Sequence, residues 1–171
     1  MTMKIIELLE REYLNRYRKR ELLILRAILL YYRDPNFRVV VLIQYASKGK
    51  NLRLRQFCCK KLSVKYSVFT SKDAIIGRNL KVEHFNGLVI GSGAIIGDNC
   101  TLYQQVTIGQ KDNKYPIIGN NVVVYAGAKV LGHIKVGNNA IIGANAVIIN
   151  DVPEYGIAVG VPARVINNKG E

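Results

Sequence analysis

Between Ile76 and Ile149 the chain places apolar residues on a six-residue period. An aliphatic residue is followed four places on by a second apolar, mostly small one. The pairs are Ile76 with Leu80, Ile90 with Ala94, Ile96 with Cys100, Leu102 with Val106, Ile118 with Val122, Val124 with Ala128, Val130 with Ile134, Val136 with Ala140 and Ile142 with Ala146. A hexapeptide period predicts a parallel β-helix, in which each unit is one short strand plus a corner and three units close a triangular coil. The aliphatic residue points into a narrow core, and the small residue packs near a corner. Gly77-Arg78-Asn79, Gly97-Asp98-Asn99, Gly119-Asn120-Asn121 and Gly137-Asn138-Asn139 supply residues that tolerate positive φ where the chain turns. A β-sandwich would show period-two alternation and irregularly spaced turns instead.

The period breaks twice. From Val82 the next in-phase start is Leu88, yet the strong restart is Ile90, so two extra residues lie within Glu83-His84-Phe85-Asn86-Gly87. From Ile108 the restart is due at residue 114 but comes at Ile118, which places four extra residues within 110–116. A solenoid carries insertions on its surface, often on the binding face. One insertion holds a histidine, the other Lys114-Tyr115-Pro116.

Residues 3–32 read as a helix, with Ile5, Ile6, Leu9, Tyr13 and Tyr17 at helical spacing. Asp34-Pro35 ends it, because the residue before proline is pushed out of the α region. Phe37 to Ser47 is a second helical segment, closed by Gly49, and Leu52 to Leu62 a third. The expected organisation is a mainly β protein: a basic α-helical extension over 1–66, a β-helix over 67–166 and a flexible tail over 167–171.

Charge sharpens this division. Of the formal charge of +13, residues 1–66 carry 16 Lys/Arg against 5 Asp/Glu, whereas the rest is nearly neutral. Apolar residues interleaved with Lys and Arg suit peripheral contact with an anionic membrane surface, alongside the plainer reading of a solvated face of an assembly domain. No nucleic-acid-binding motif accompanies the charge, so nucleic acid is not an expected partner. Three cysteines, two adjacent, make no disulfide framework. The N-terminus lacks an uninterrupted apolar region, which predicts no signal peptide and a cytoplasmic protein. The run from Leu22 to Tyr32 is too short to span a bilayer.

Four segments together resemble the serine acetyltransferase family of hexapeptide-repeat acyltransferases. They are Glu83 to Ile90, Ile96 through Gly109, Ala126-Gly127-Ala128-Lys129-Val130-Leu131-Gly132, and Gly160-Val161-Pro162-Ala163-Arg164-Val165. The resemblance implies a left-handed parallel β-helix, against the usual right-handed crossover. It also implies a homotrimer or a multiple of one, with acetyl-CoA in the cleft between neighbouring β-helices. His84 falls on the family's catalytic histidine. An acceptor hydroxyl must lose its proton as it attacks the thioester, and imidazole, with an ordinary pKa of about 6.5, suits that task. Small residues at Gly109, Ala126, Gly127 and Ala144 would let a pantetheine arm approach the backbone, and Arg164 would meet its phosphates. His133 reads as structural. Two histidines cannot supply the three ligands of the zinc-dependent β-helix hydratases, so no metal is expected.

Departures from the family bear on the acceptor. Serine acetyltransferases place an aspartate fifteen residues before the catalytic histidine, where this chain has Phe69, and a second histidine where it has Tyr115. Glu83 stands for an aspartate and Lys114 for an arginine that contact the amino acid. These changes, with aromatic surface at Phe85, Tyr103 and Tyr115, resemble the capsule and exopolysaccharide branch. They point to a sugar hydroxyl, with Glu83, Phe85, Lys114 and Tyr115 around the acceptor. Serine is the alternative, since Glu83 and Lys114 keep one charge of each sign; a non-catalytic scaffold is the second.

Overall fold

The computed structural model of the chain describes residues 5–17 and 23–168. From Phe69 onward short parallel strands stack into three faces. The first face holds Phe69–Thr70, Val89–Ile90, Thr107–Gly109, Lys129–Leu131 and Val147–Ile148. The second holds Ile75–Ile76, Ile95–Ile96, Ile117–Ile118 and Lys135–Val136. The third holds Lys81–Glu83, Thr101–Tyr103, Val123–Val124, Ile141–Ile142 and Gly156–Gly160, closed by the antiparallel strand Ala163–Asn168. This is the expected β-helix. Ile76, Ile96, Ile118 and Val136 stand in register along the second face, so successive coils advance by 20, 22 and 18 residues. The first two advances exceed eighteen by the two and four residues of the breaks. Every in-phase aliphatic residue is buried in one continuous core, as are Ala94, Cys100, Ala128, Ala140 and Ala146 at the corners.

The corners divide their labour differently from the sequence expectation. Positive φ belongs to the asparagines: Asn79, Asn99, Asn121 and Asn139 lie at 55–60°. The glycines are required by close approach. A Cβ on Gly77 would sit 2.3 Å from the carbonyl of Gly97, and one on Gly119 would sit 2.7 Å from Asn138 Oδ1. Side-chain amides then run along the corner as a ladder, Asn79 to Asn99 to Asn121 to Asn139, at 3.0–3.1 Å.

The helix read over 3–32 is two, α1 (Ile5–Tyr17) and α2 (Leu23–Arg33), which pack on each other; 18–22 lie outside the described residues. No glycine or proline interrupts residues 4–33, so the periodicity carried no signal for a break. Helix α3 (Pro35–Lys48) starts on Asp34, whose side chain accepts from Phe37 N at 3.1 Å, with proline in the first turn. Residues 39–46 of α3 are all buried, so packing outweighs the poor helix propensity of Val39-Val40-Val41. Helix α4 (Leu52–Tyr66) is capped by Asn51 and extends four residues beyond the expected Leu62. Gln44 Nε2 donates to Gly77 O at 2.7 Å and Ser47 Oγ to Ala74 O at 2.8 Å, which seats α3 on the first coil. Residues 169–171, where a frayed end was expected, lie outside the described residues, and the last strand runs through Asn168.

Candidate active site

The first break in the period is local and specific. Glu83 is level with Tyr103 and Val89 with Thr107, so six chain steps cover what four cover in the next coil. Asn86 O accepts from Gln105 N at 2.9 Å just as Gln104 O accepts from Gly127 N at 2.9 Å, which puts Asn86 and Gln104 in phase. The two extra residues are therefore His84 and Phe85. His84 is exposed and has φ 53°, a left-handed conformation that costs a non-glycine residue on the order of 1 kcal/mol. The corner asparagines share this conformation, so what sets His84 apart is the two-residue break that it occupies. Phe85 holds the bulge from the other side, edge-to-face on Tyr66 of α4 with ring centroids 5.6 Å apart.

An open groove of about 470 Å³ runs past the bulge, lined by Pro35, Asn36, His84, Phe85, Asn86, Gln104 and Gln105. Sequence reasoning did not single out Gln104, whose amide oxygen is buried with no hydrogen-bond partner. Its only signal is its position, in phase with Asn86 beneath the break. Farther along the same edge follow Ala126, Gly127 and, exposed, Ala144, in phase through Asn145 N to Ala126 O at 2.8 Å. These side chains are short enough for an extended thioester arm to lie against the backbone. Glu83, half-buried, lines a separate cavity of about 210 Å³ between α1, α3 and the third face. Burial there pushes the Glu12 carboxyl up, opposed by Arg11 3.2 Å away.

The second break forms a hairpin tip. Lys111 and Lys114 exchange backbone hydrogen bonds of 3.0 and 3.1 Å around Asp112 and Asn113, both with positive φ, the arrangement of a two-residue type I′ turn. Tyr115 folds back over the corner of the preceding coil, where a Cβ on Gly91 or Gly93 would meet its ring at 2.4–2.5 Å. Lys114 is exposed.

The expected site residues thus divide over two edges of the first face. His84, Phe85, Ala126, Gly127 and Ala144 share one edge; Lys114, Tyr115 and Gly109 occupy the other. Arg164 lies exposed on the closing strand, opposite Val159. Tyr103 stacks on Tyr125 with centroids 5.1 Å apart. Phe69, in the place of the family's aspartate, is exposed on the first strand, and its side chain offers no hydrogen bond. His133 is exposed beside the hairpin edge, and no cluster of metal-ligating side chains occurs among the described residues.

Comparison with known proteins bears on this geometry. The family model of the bacterial transferase hexapeptide, six repeats, matches residues 115–150. Over those residues the chain is similar to the hexapeptide-repeat transferases. Serine acetyltransferase from Staphylococcus aureus is 46% identical over 101 residues, which cover 57% of this chain and 47% of that protein. The chain thus spans about half the length of the curated relatives it matches. A crystal structure of Neisseria gonorrhoeae serine acetyltransferase in complex with serine superposes with a TM-score of 0.76 at 26% identity, covering 95% of this chain and 68% of that one. A serine acetyltransferase complex with CoA superposes at 0.74 and 28% identity, covering 95% and 69%.

These likenesses overturn the expectation of a sugar acceptor and of a role in polysaccharide synthesis. The hexapeptide-repeat transferases that this chain resembles are serine acetyltransferases, and one was solved with serine. The sequence reading took four changed residues as loss of an amino-acid pocket. Two of them, Glu83 and Lys114, conserve charge, which is what an amino acid requires of its site.

Proposed function

We propose that the protein transfers an acetyl group from acetyl-CoA to the hydroxyl of L-serine, with His84 as general base. The observation that carries this reading is the two-residue break that lifts His84 out of the coil, within a stretch related to serine acetyltransferase. His84 accepts the serine hydroxyl proton as the oxygen attacks the thioester carbonyl. The C–S bond breaks, and His84 returns the proton to the departing thiolate, so O-acetylserine and free CoA leave with atoms and charge balanced. Lys114 pairs with the substrate carboxylate. Ala126, Gly127, Ala144 and Gly109 line the path of the pantetheine arm, and Arg164 binds phosphate.

Because His84 and Lys114 stand on opposite edges of one face, we place the site between chains, with the His84 edge of one against the Tyr115 edge of its neighbour in a homotrimer. The test is thiol release from acetyl-CoA with free L-serine, beside a panel of mono- and oligosaccharides, and the mass of the assembly by light scattering. Turnover on serine in a trimer or a multiple of one is the expected result. Release with neither acceptor class, or activity in a stable monomer, overturns the reading.

A further inference from the structure

We infer that α2 and α4 together form a docking surface for an anionic lipid bilayer. Helix α2 packs on α1 and α3 through Ala27, fully buried, and through half-buried Leu30 and Tyr31. Its opposite side is also apolar. Leu25, Ile28, Leu29 and Tyr32, spaced as one helical stripe, are 54%, 40%, 51% and 72% exposed. A helix that is apolar on both sides is covered on both. On α4, Cys58, Leu62 and Tyr66 face inward. Arg53, Phe57, Lys60 and Val64, at intervals of four, three and four, make the outward row; Phe57 and Val64 are 57% and 78% exposed. An apolar groove of about 280 Å³ opens between α2, which gives Ile28, Tyr31 and Tyr32, and the inward side of α4, which gives Cys58.

Charge selects the occupant. Residues 1–66 carry 16 Lys/Arg against 5 Asp/Glu, a net +11, so two copies meeting on this surface would oppose like charges. Nucleic acid would satisfy the cations and leave the leucines and phenylalanine without a partner. Side chains that insert among acyl chains, alternating with cations at headgroup level, fit an anionic interface on both counts. None of the described helices is long and apolar enough to cross a membrane, so contact is from one side.

The experiment is sedimentation of the full chain with vesicles of phosphatidylcholine alone and of equal parts phosphatidylcholine and phosphatidylglycerol. Binding to the mixed vesicles only, weakened by added salt, is expected. Leu29→Ser with Phe57→Ser should weaken it about tenfold or more, and Lys60→Gln by about fivefold, with melting temperature and acetyl transfer to free serine unchanged. Equal binding by wild type and these variants, or no binding at millimolar lipid, overturns the inference. A loss of assembly mass in Leu29→Ser with Phe57→Ser, without loss of vesicle binding, assigns the surface to a second copy instead and overturns it as well. Neither outcome depends on whether serine is the acceptor.

Discussion

Arg78 is held by Asp98 of the following coil through its main chain and its side chain at once. Its backbone N–H donates to Asp98 Oδ1 at 2.6 Å, and its guanidinium Nε and Nη2 donate to Oδ2 at 3.0 and 2.7 Å. The next coils repeat the main-chain half of the motif with neutral amides: Asp98 N donates to Asn120 Oδ1 and Asn120 N to Asn138 Oδ1, both at 2.8 Å. Only at the coil nearest the helical extension does the ladder carry charge.

That charge sets a pH dependence. The hydrogen bonds from Arg78 hold the Asp98 carboxyl below the usual carboxylate range. A depressed folded-state pKa means that the ionised form is bound more tightly in the fold. The stabilisation is therefore present above the unfolded value of 3.8 and lost as pH falls through the folded value. Asp98→Asn should lower the melting temperature slightly at neutral pH, as expected of an exposed ion pair. Thermal melts of the two proteins should differ at pH 7 and converge progressively below about pH 4.

His84→Ala should lower acetyl transfer by roughly 10²–10⁴-fold, the usual worth of a general base. CoA binding, read by calorimetry, should survive, and the melting temperature should hold or rise, since alanine at φ 53° also carries strain but buries nothing. Turnover within about threefold of wild type would remove His84 from the proposed chemistry.

Two glycines should behave oppositely. Gly77→Ala drives a methyl to 2.3 Å from backbone atoms of Gly97, which the neighbouring coil cannot yield, and should cost roughly 1–3 kcal/mol in urea unfolding. Gly109→Ala meets only the Leu131 side chain at 3.1 Å and Thr107 at 3.4 Å, both able to give way. It should leave stability within about 0.5 kcal/mol and, lying on the proposed pantetheine path, raise the KM for acetyl-CoA.

The cysteines should be slow. Burial pushes the Cys58 thiol up to about 11 and raises Cys100 and Cys59 as well. At pH 8 only on the order of 10⁻³ of Cys58 is thiolate, the reactive form. Native protein should therefore titrate with a disulfide reagent far more slowly than unfolded protein, in which all three react. Complete labelling of the native chain within seconds would contradict the burial.

The solenoid was legible because its determinant is local and repeated. A residue that must fill a narrow core recurs at each turn of the coil, so the nine in-phase aliphatic positions read off as buried, and the breaks read off as insertions of two and four residues. His84 was legible for the same reason, as an interruption of a rule. Gln104 obeys the rule and gave no sign; its buried, unpartnered oxygen is a property of what surrounds it. The acceptor was misread because the changes at Phe69 and Tyr115 and the aromatic surface were given more weight than the charges that Glu83 and Lys114 keep.

By itself, then, the sequence determined the repeat, the register of the coils and the place of the bulge, all of which follow from spacing along the chain. Tertiary structure decided that Ile5–Tyr17 and Leu23–Arg33 pack as two helices, that Tyr115 lies on Gly91 and Gly93 of the previous coil, and that asparagine takes the strained corner while glycine yields to a neighbour. It also placed His84 and Lys114 on different edges of one face. These depend on which surfaces meet in space, and no periodicity along a chain encodes the distance between residues brought together by its winding.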